Sequence, residues 1–89
     1  MRGIIATTNA GYTIIEAAYT DTSHGYVIGK NNGNYVTWGF RERGDEIDFY
    51  HGHYIQIDPD SPARSRAKAY ADFHERLAEK YREAVEYGY

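Results

Sequence analysis

Four histidines and no cysteine bound the side-chain chemistry open to this chain of 89 residues. The most specific run is Tyr50-His51-Gly52-His53-Tyr54. Residues two apart on a strand point to the same face, so His51 and His53 can present two imidazoles to one ion. His74, next to Phe73 on an apolar helical stripe, can approach the same point from above. Three histidines with a water or a carboxylate would complete a tetrahedral site for one zinc ion, and a small domain without disulfides would gain stability from it. The competing reading makes both residues hydrogen-bonded packing histidines. A bulge at Gly52 would also turn the rings apart and remove the site.

Other arrangements carry less. Asp45, Glu46 and Asp48 lie close in sequence, but a catalytic carboxylate pair needs a cleft and two contrasting environments. A hairpin rim offers neither, and solvated charge is the simpler reading. Ser23-His24 falls in a turn with no orienting acid of evident geometry, which argues against a nucleophilic serine. Gly25, Gly29, Gly33 and Gly39 do not form a phosphate-cradling loop that opens a helix. No catalytic residue is assigned, and the expected role is non-enzymatic.

The net charge of −3 is unevenly spread. Between positions 42 and 60, Glu42, Asp45, Glu46, Asp48, Asp58 and Asp60 stand against Arg43 alone, while the C-terminal third nearly balances. Nucleic-acid binding requires lysine and arginine to neutralise phosphates, so direct nucleic-acid binding is not expected. An acidic segment favours a partner protein with a basic surface. Ten tyrosines exceed what a core of this size needs, and tyrosine is enriched in interface hot spots. On these grounds Asp45, Glu46, Asp48, Tyr50 and Tyr54 are the candidate contacts for a protein partner.

The elements that must hold these residues read as α+β. Strands are predicted at about 12–20, 26–30, 35–43 and 46–57, separated by turn clusters. Asn31-Asn32-Gly33-Asn34 is the strongest turn signal, because asparagine and glycine tolerate the positive φ of tight hairpins. In the third strand Val36, Trp38 and Phe40 alternate with Tyr35, Thr37 and Gly39, so the large groups share a face. Ser61-Pro62 starts a helix over about 62–87, and Gly88 would end it. Tyr70, Phe73, Leu77, Tyr81, Ala84 and Val85 form the stripe that should cover the sheet. Asp72 with Arg76 would make a four-apart ion pair on its wet side. The expected fold is one domain, an antiparallel meander of three or four strands packed against one amphipathic C-terminal helix. The face carrying Ile47, Phe49, His51, His53, Ile55 and Ile57 is expected under that helix.

A domain of this size buries only about 60% of its unfolded surface, so a metal ion, a partner or a second copy would supplement its stability. The first ten residues are too short in apolar content for a signal peptide or a membrane span, and a cytoplasmic protein whose N-terminus lends a short edge strand is expected.

Ile14-Ile15-Glu16, Tyr35-Val36-Thr37-Trp38 and Asp48-Phe49-Tyr50-His51-Gly52-His53-Tyr54 resemble a group of small proteins carried by Gram-positive bacteria, their phages and conjugative elements. The likeness spans the sheet and extends to an aromatic-bearing final helix. Relatives of that type often carry an aromatic such as tryptophan where His51 stands here, so any metal site would be particular to this chain. Small, acidic, tyrosine-rich proteins on mobile elements are often anti-defence factors. What the resemblance implies is a stoichiometric inhibitor of a host defence nuclease, of the anti-CRISPR type, working in the host cytoplasm. A non-catalytic zinc-binding accessory domain is the alternative.

Overall fold

The computed structural model describes residues 8–9 and 11–87. Five strands form one antiparallel sheet in the order β1-β2-β3-β4-β5, and a single helix follows. β1 is Thr8–Asn9, β2 Tyr12–Tyr19, β3 His24–Lys30, β4 Asn34–Arg43 and β5 Glu46–Gln56; α1 is Pro62–Tyr87. The expected α+β meander stands, and the short edge strand expected from the N-terminus is the two-residue β1. Residues 1–7, Ala10 and the predicted helix stop at Gly88 lie outside the described residues. No helix among the described residues is long and apolar enough to cross a membrane.

Local chemistry sets the boundaries. β3 begins at His24 rather than Tyr26 because the Asp21 carboxylate accepts the amides of Ser23 and His24, at 2.8 and 2.7 Å, and completes the turn early. Asn31 does the same for the β3–β4 turn, accepting the amides of Gly33 and Asn34 at 2.7 Å each. The β4–β5 turn has two residues, with Gly44 at φ 62° in its first position, where a side chain would be strained. At the start of α1, the Ser65 hydroxyl accepts the Asp58 amide at 2.9 Å and donates to the Ser61 carbonyl at 3.2 Å. Ser65 is thereby buried with both hydrogen-bonding roles used.

The sheet is apolar on both faces. Under the helix lie Ile28, Tyr35, Ala69, Phe73 and Leu77, with Ile55, Ile57 and Tyr70 at the margin. The opposite face buries Tyr12, Ile14, Val27, Val36, Trp38 and Phe40, with Tyr19, Ile47 and Phe49 packed against them. The large alternating side chains of β4 therefore point away from the helix, not towards it. Rings tile that second face edge to face: Tyr12 on Trp38 at 5.4 Å, Tyr19 on Phe40 at 5.2 Å. Gly25 supplies room for this. A Cβ there would stand 2.7 and 2.8 Å from two Phe40 ring carbons and would meet the Ala18 carbonyl oxygen.

Two irregularities bend the sheet. β2 shifts register against β3 between Ile14 and Glu16, and β5 places His51 and Gly52 opposite Trp38 alone. His51 is the one described non-glycine residue at positive φ, 53°. Across this bulge the odd-numbered residues of β5 change sides. Ile47 and Phe49 join the Trp38 face, whereas Ile55 and Ile57 join the helix. The expectation that all four share the helix-covered face with both histidines is thus corrected.

Candidate binding surface and histidine cluster

The hairpin of β4 and β5 carries the acidic residues to one end of the molecule. Arg43 pairs with Glu46 across the Gly44-Asp45 turn, and Arg41 with Asp48 two steps further in. Asp45, Glu46 and Asp48 are exposed. Arg43 reaches Asp48 at 3.4 Å, but both side chains are well solvated, so this pair adds little stability and leaves the tip acidic. Glu42 is tied inward, accepting a hydrogen bond from the Tyr19 hydroxyl at 2.9 Å.

The five predicted partner contacts do not form one patch. Tyr50 is half-buried, its ring lies over Gly39, and its hydroxyl donates to the Phe40 carbonyl at 3.3 Å. Burial, with a further contribution from Tyr26, pushes the Tyr50 phenol above its usual range. Tyr54 is 62% exposed, sits on the Trp38 face and meets Tyr12 edge-on at 6.3 Å. It pairs with Val36 and Glu46 with Arg43, seven ladder steps away, roughly 23 Å along the strand. Asp45, Glu46 and Asp48 stay together, Tyr50 is tucked in, and Tyr54 stands at the far end.

The three histidines are likewise dispersed. His51 is exposed in its left-handed conformation, with its ring edge-on to Tyr50 at 5.1 Å. His53 faces the helix, where its Nδ1 is 3.5 Å from Asp72 Oδ1. Arg76 lies against the same ring, with Nη1 2.6 Å from Nδ1 and 2.5 Å from Nε2. Its other amino group donates to the His51 carbonyl at 2.9 Å, and its guanidinium lies 5.2 Å from the Tyr26 ring centre. His74 is exposed beside Tyr70 and Phe73. Among the described residues no three histidines, cysteines or carboxylates come together in a metal-holding group. Arg76 fills the space next to His53, so zinc there would require the guanidinium to move. Asp72 and Arg76, expected on the wet side, instead turn to β5.

Sequence reasoning missed two participants. Arg76 carries no signal beyond its spacing from Asp72. The other is Asp21, whose Asp-x-Ser-His spacing marks a side-chain-capped turn. Its carboxylate lies 3.0 Å from His24 Nδ1, and Ser23 Oγ is 3.2 Å from that same nitrogen. A hydrolytic triad needs acid and nucleophile on different ring nitrogens, so this trio cannot relay a proton that way. Burial pushes the Asp21 carboxyl up. The Ser23 and His24 amides and the His24 ring outweigh it and hold the group below the usual carboxylate range.

No protein-family model, no curated protein and no solved structure matches this chain.

Proposed function

We propose that the chain is a stoichiometric protein-binding inhibitor whose acidic hairpin tip docks on a basic surface of its partner. The observation that supports this reading is the exposed group of Asp45, Glu46 and Asp48 at the end of a ten- and eleven-residue strand pair. Such a tip speeds encounter with a positively charged surface and discriminates against acidic ones. The resemblance to small proteins of mobile elements makes a host defence nuclease, of the kind met by anti-CRISPR proteins, the first partner class to test.

The experiment is capture from lysate of a Gram-positive host expressing its defence systems. Wild-type bait is compared with Asp45→Lys/Glu46→Lys, and the captured nuclease is then assayed against increasing inhibitor. The expected result is capture by the wild type alone and loss of nuclease activity that saturates near one equivalent. Equal capture by both baits would remove the electrostatic contact, and inhibition at a small fraction of an equivalent would remove the stoichiometric mechanism.

A further inference from the structure

The contact between β5 and the middle of α1 joins a fixed cation to a base that can become one. Arg76 Nη1 lies 2.6 Å from His53 Nδ1 and 2.5 Å from Nε2, while the other amino group donates to the His51 carbonyl at 2.9 Å. The Asp72 carboxylate, one turn earlier on α1, stands 3.5 Å from the same Nδ1. From β3 the Tyr26 ring lies under the guanidinium, and from β4 Thr37 is the ladder partner of His53. Tyr50 stands beyond Tyr26, within electrostatic reach of Lys80 on α1 and Arg41 on β4, and the His51 ring lies edge-on to Tyr50.

This arrangement requires a neutral His53. A neutral imidazole keeps one nitrogen as an acceptor for an arginine N–H, whereas the imidazolium has two donors and no acceptor, and arginine never accepts. Protonation therefore turns a donor–acceptor contact into two cations side by side. Asp72 is in place to receive the new donor, since an ionised carboxylate only accepts and bonds a cationic donor strongly. The neutral arrangement also leaves two groups over: Asp72 Oδ2 and Arg76 Nε are buried without a hydrogen-bond partner. Buried groups left unpaired are costly, so an exchange that turns the guanidinium out to water and gives Asp72 a donor relieves both.

We infer that protonation of His53 exchanges the partners in this cluster: the imidazolium takes Asp72, and Arg76 releases the His51 carbonyl. The bulge at His51 and Gly52 is thus clamped by a side chain of α1 in neutral solution and unclamped in acid. Histidine is the side chain whose charge ordinarily changes between about pH 5 and 8, so modest acidification is enough. Release leaves a backbone acceptor without its donor in the middle of an edge strand and loosens the link between β5 and α1. The device acts on the β5 edge and is independent of any partner at the hairpin tip.

The test follows the Gly52 amide of the whole 15N-labelled chain, because its nitrogen shares a peptide unit with the His51 carbonyl and reports what that oxygen accepts. Between about pH 8 and 5 the wild-type Gly52 signal should converge on its position in Arg76→Ala, with a midpoint matching that of the His53 ring protons. The Arg76 side-chain protons, shifted upfield by the Tyr26 ring beneath them, should move to free-arginine positions over the same range, a readout that needs no variant. In His53→Gln, which keeps an acceptor and cannot titrate, both signals should hold still. His51→Gln removes the neighbouring imidazole and should leave the transition in place. Arg76 protons and a Gly52 amide that keep their positions while the His53 ring titrates would overturn the inference. So would a transition that survives in His53→Gln, one that disappears in His51→Gln, or a His53 ring that gains no proton down to about pH 5.

Discussion

His51 holds a left-handed conformation, φ 53°, in the middle of an edge strand. For an L-residue that conformation costs roughly 1–2 kcal/mol, which glycine escapes. Comparing His51→Ala with His51→Gly isolates this term. Both lose the ring contact with Tyr50, and both keep the Arg76 bond, which is made to the backbone carbonyl. Glycine gives back about 0.4–1 kcal/mol through its freer unfolded chain, so the net preference for glycine is about 0.5–1 kcal/mol. For a domain of this size, 1 kcal/mol moves the melting temperature by about 4–8 °C. His51→Gly should therefore melt several degrees above His51→Ala by circular dichroism, and His51→Val should fall lowest because a β-branched residue tolerates positive φ least. In an ordinary strand the order reverses, alanine exceeding glycine by about 0.5–1 kcal/mol. The sign alone decides: His51→Ala melting above His51→Gly would refute the left-handed bulge.

Gly25→Ala should destabilise the fold by about 1–3 kcal/mol, read from the urea midpoint, because the new methyl meets Phe40 and the Ala18 carbonyl with neither free to retreat. An unchanged midpoint would show that the Phe40 ring does not rest on this backbone. Asp21, whose carboxyl is held below its usual range, stabilises the fold at neutral pH, and that contribution fades as pH falls from about 3.9 through its folded value. The melting difference between wild type and Asp21→Ala should accordingly be full at neutral pH and shrink towards zero in strong acid. A difference that persists there would assign the effect to something other than the carboxylate charge.

The meander and the helix were legible because their signals are local. Asn31 to Asn34, Gly44 with Asp45, and Ser61-Pro62 each act within a few residues, and the boundaries of β4 and α1 follow. Which face the helix covers is a different kind of question, since alternation in a strand reads the same when the faces are exchanged. Here the helix lies on the flatter side of β4, with Thr37 and Gly39, while Trp38 and Phe40 fill the other side with rings. The bulge was foreseen as a hazard at Gly52, yet the residue in the left-handed region is its neighbour His51, where the glycine beside it would have been the expected occupant. Helical periodicity likewise marks a stripe without saying where the sheet beneath it ends. Tyr81 and Val85 therefore read as core and stand exposed, while Arg76 reads as surface and turns to β5.

The same bulge bears on how the protein can be recognised. β5 is an edge strand of eleven residues, long enough to template pairing with another chain. His51 and Gly52 interrupt it, leaving the shorter runs Glu46 to Tyr50 and His53 to Gln56 on either side. Arg76 occupies the His51 carbonyl at the break, so a strand added along β5 would meet a guanidinium at its midpoint. Bulges of this kind also increase local twist, which turns an edge away from a flat partner. Strand addition is thereby disfavoured along the longest described edge, and the exposed carboxylates Asp45, Glu46 and Asp48 stand clear of the break at the hairpin end of the sheet. A partner that bound by extending the sheet would need Arg76 removed, whereas one that bound at the hairpin tip would be indifferent to Arg76→Ala.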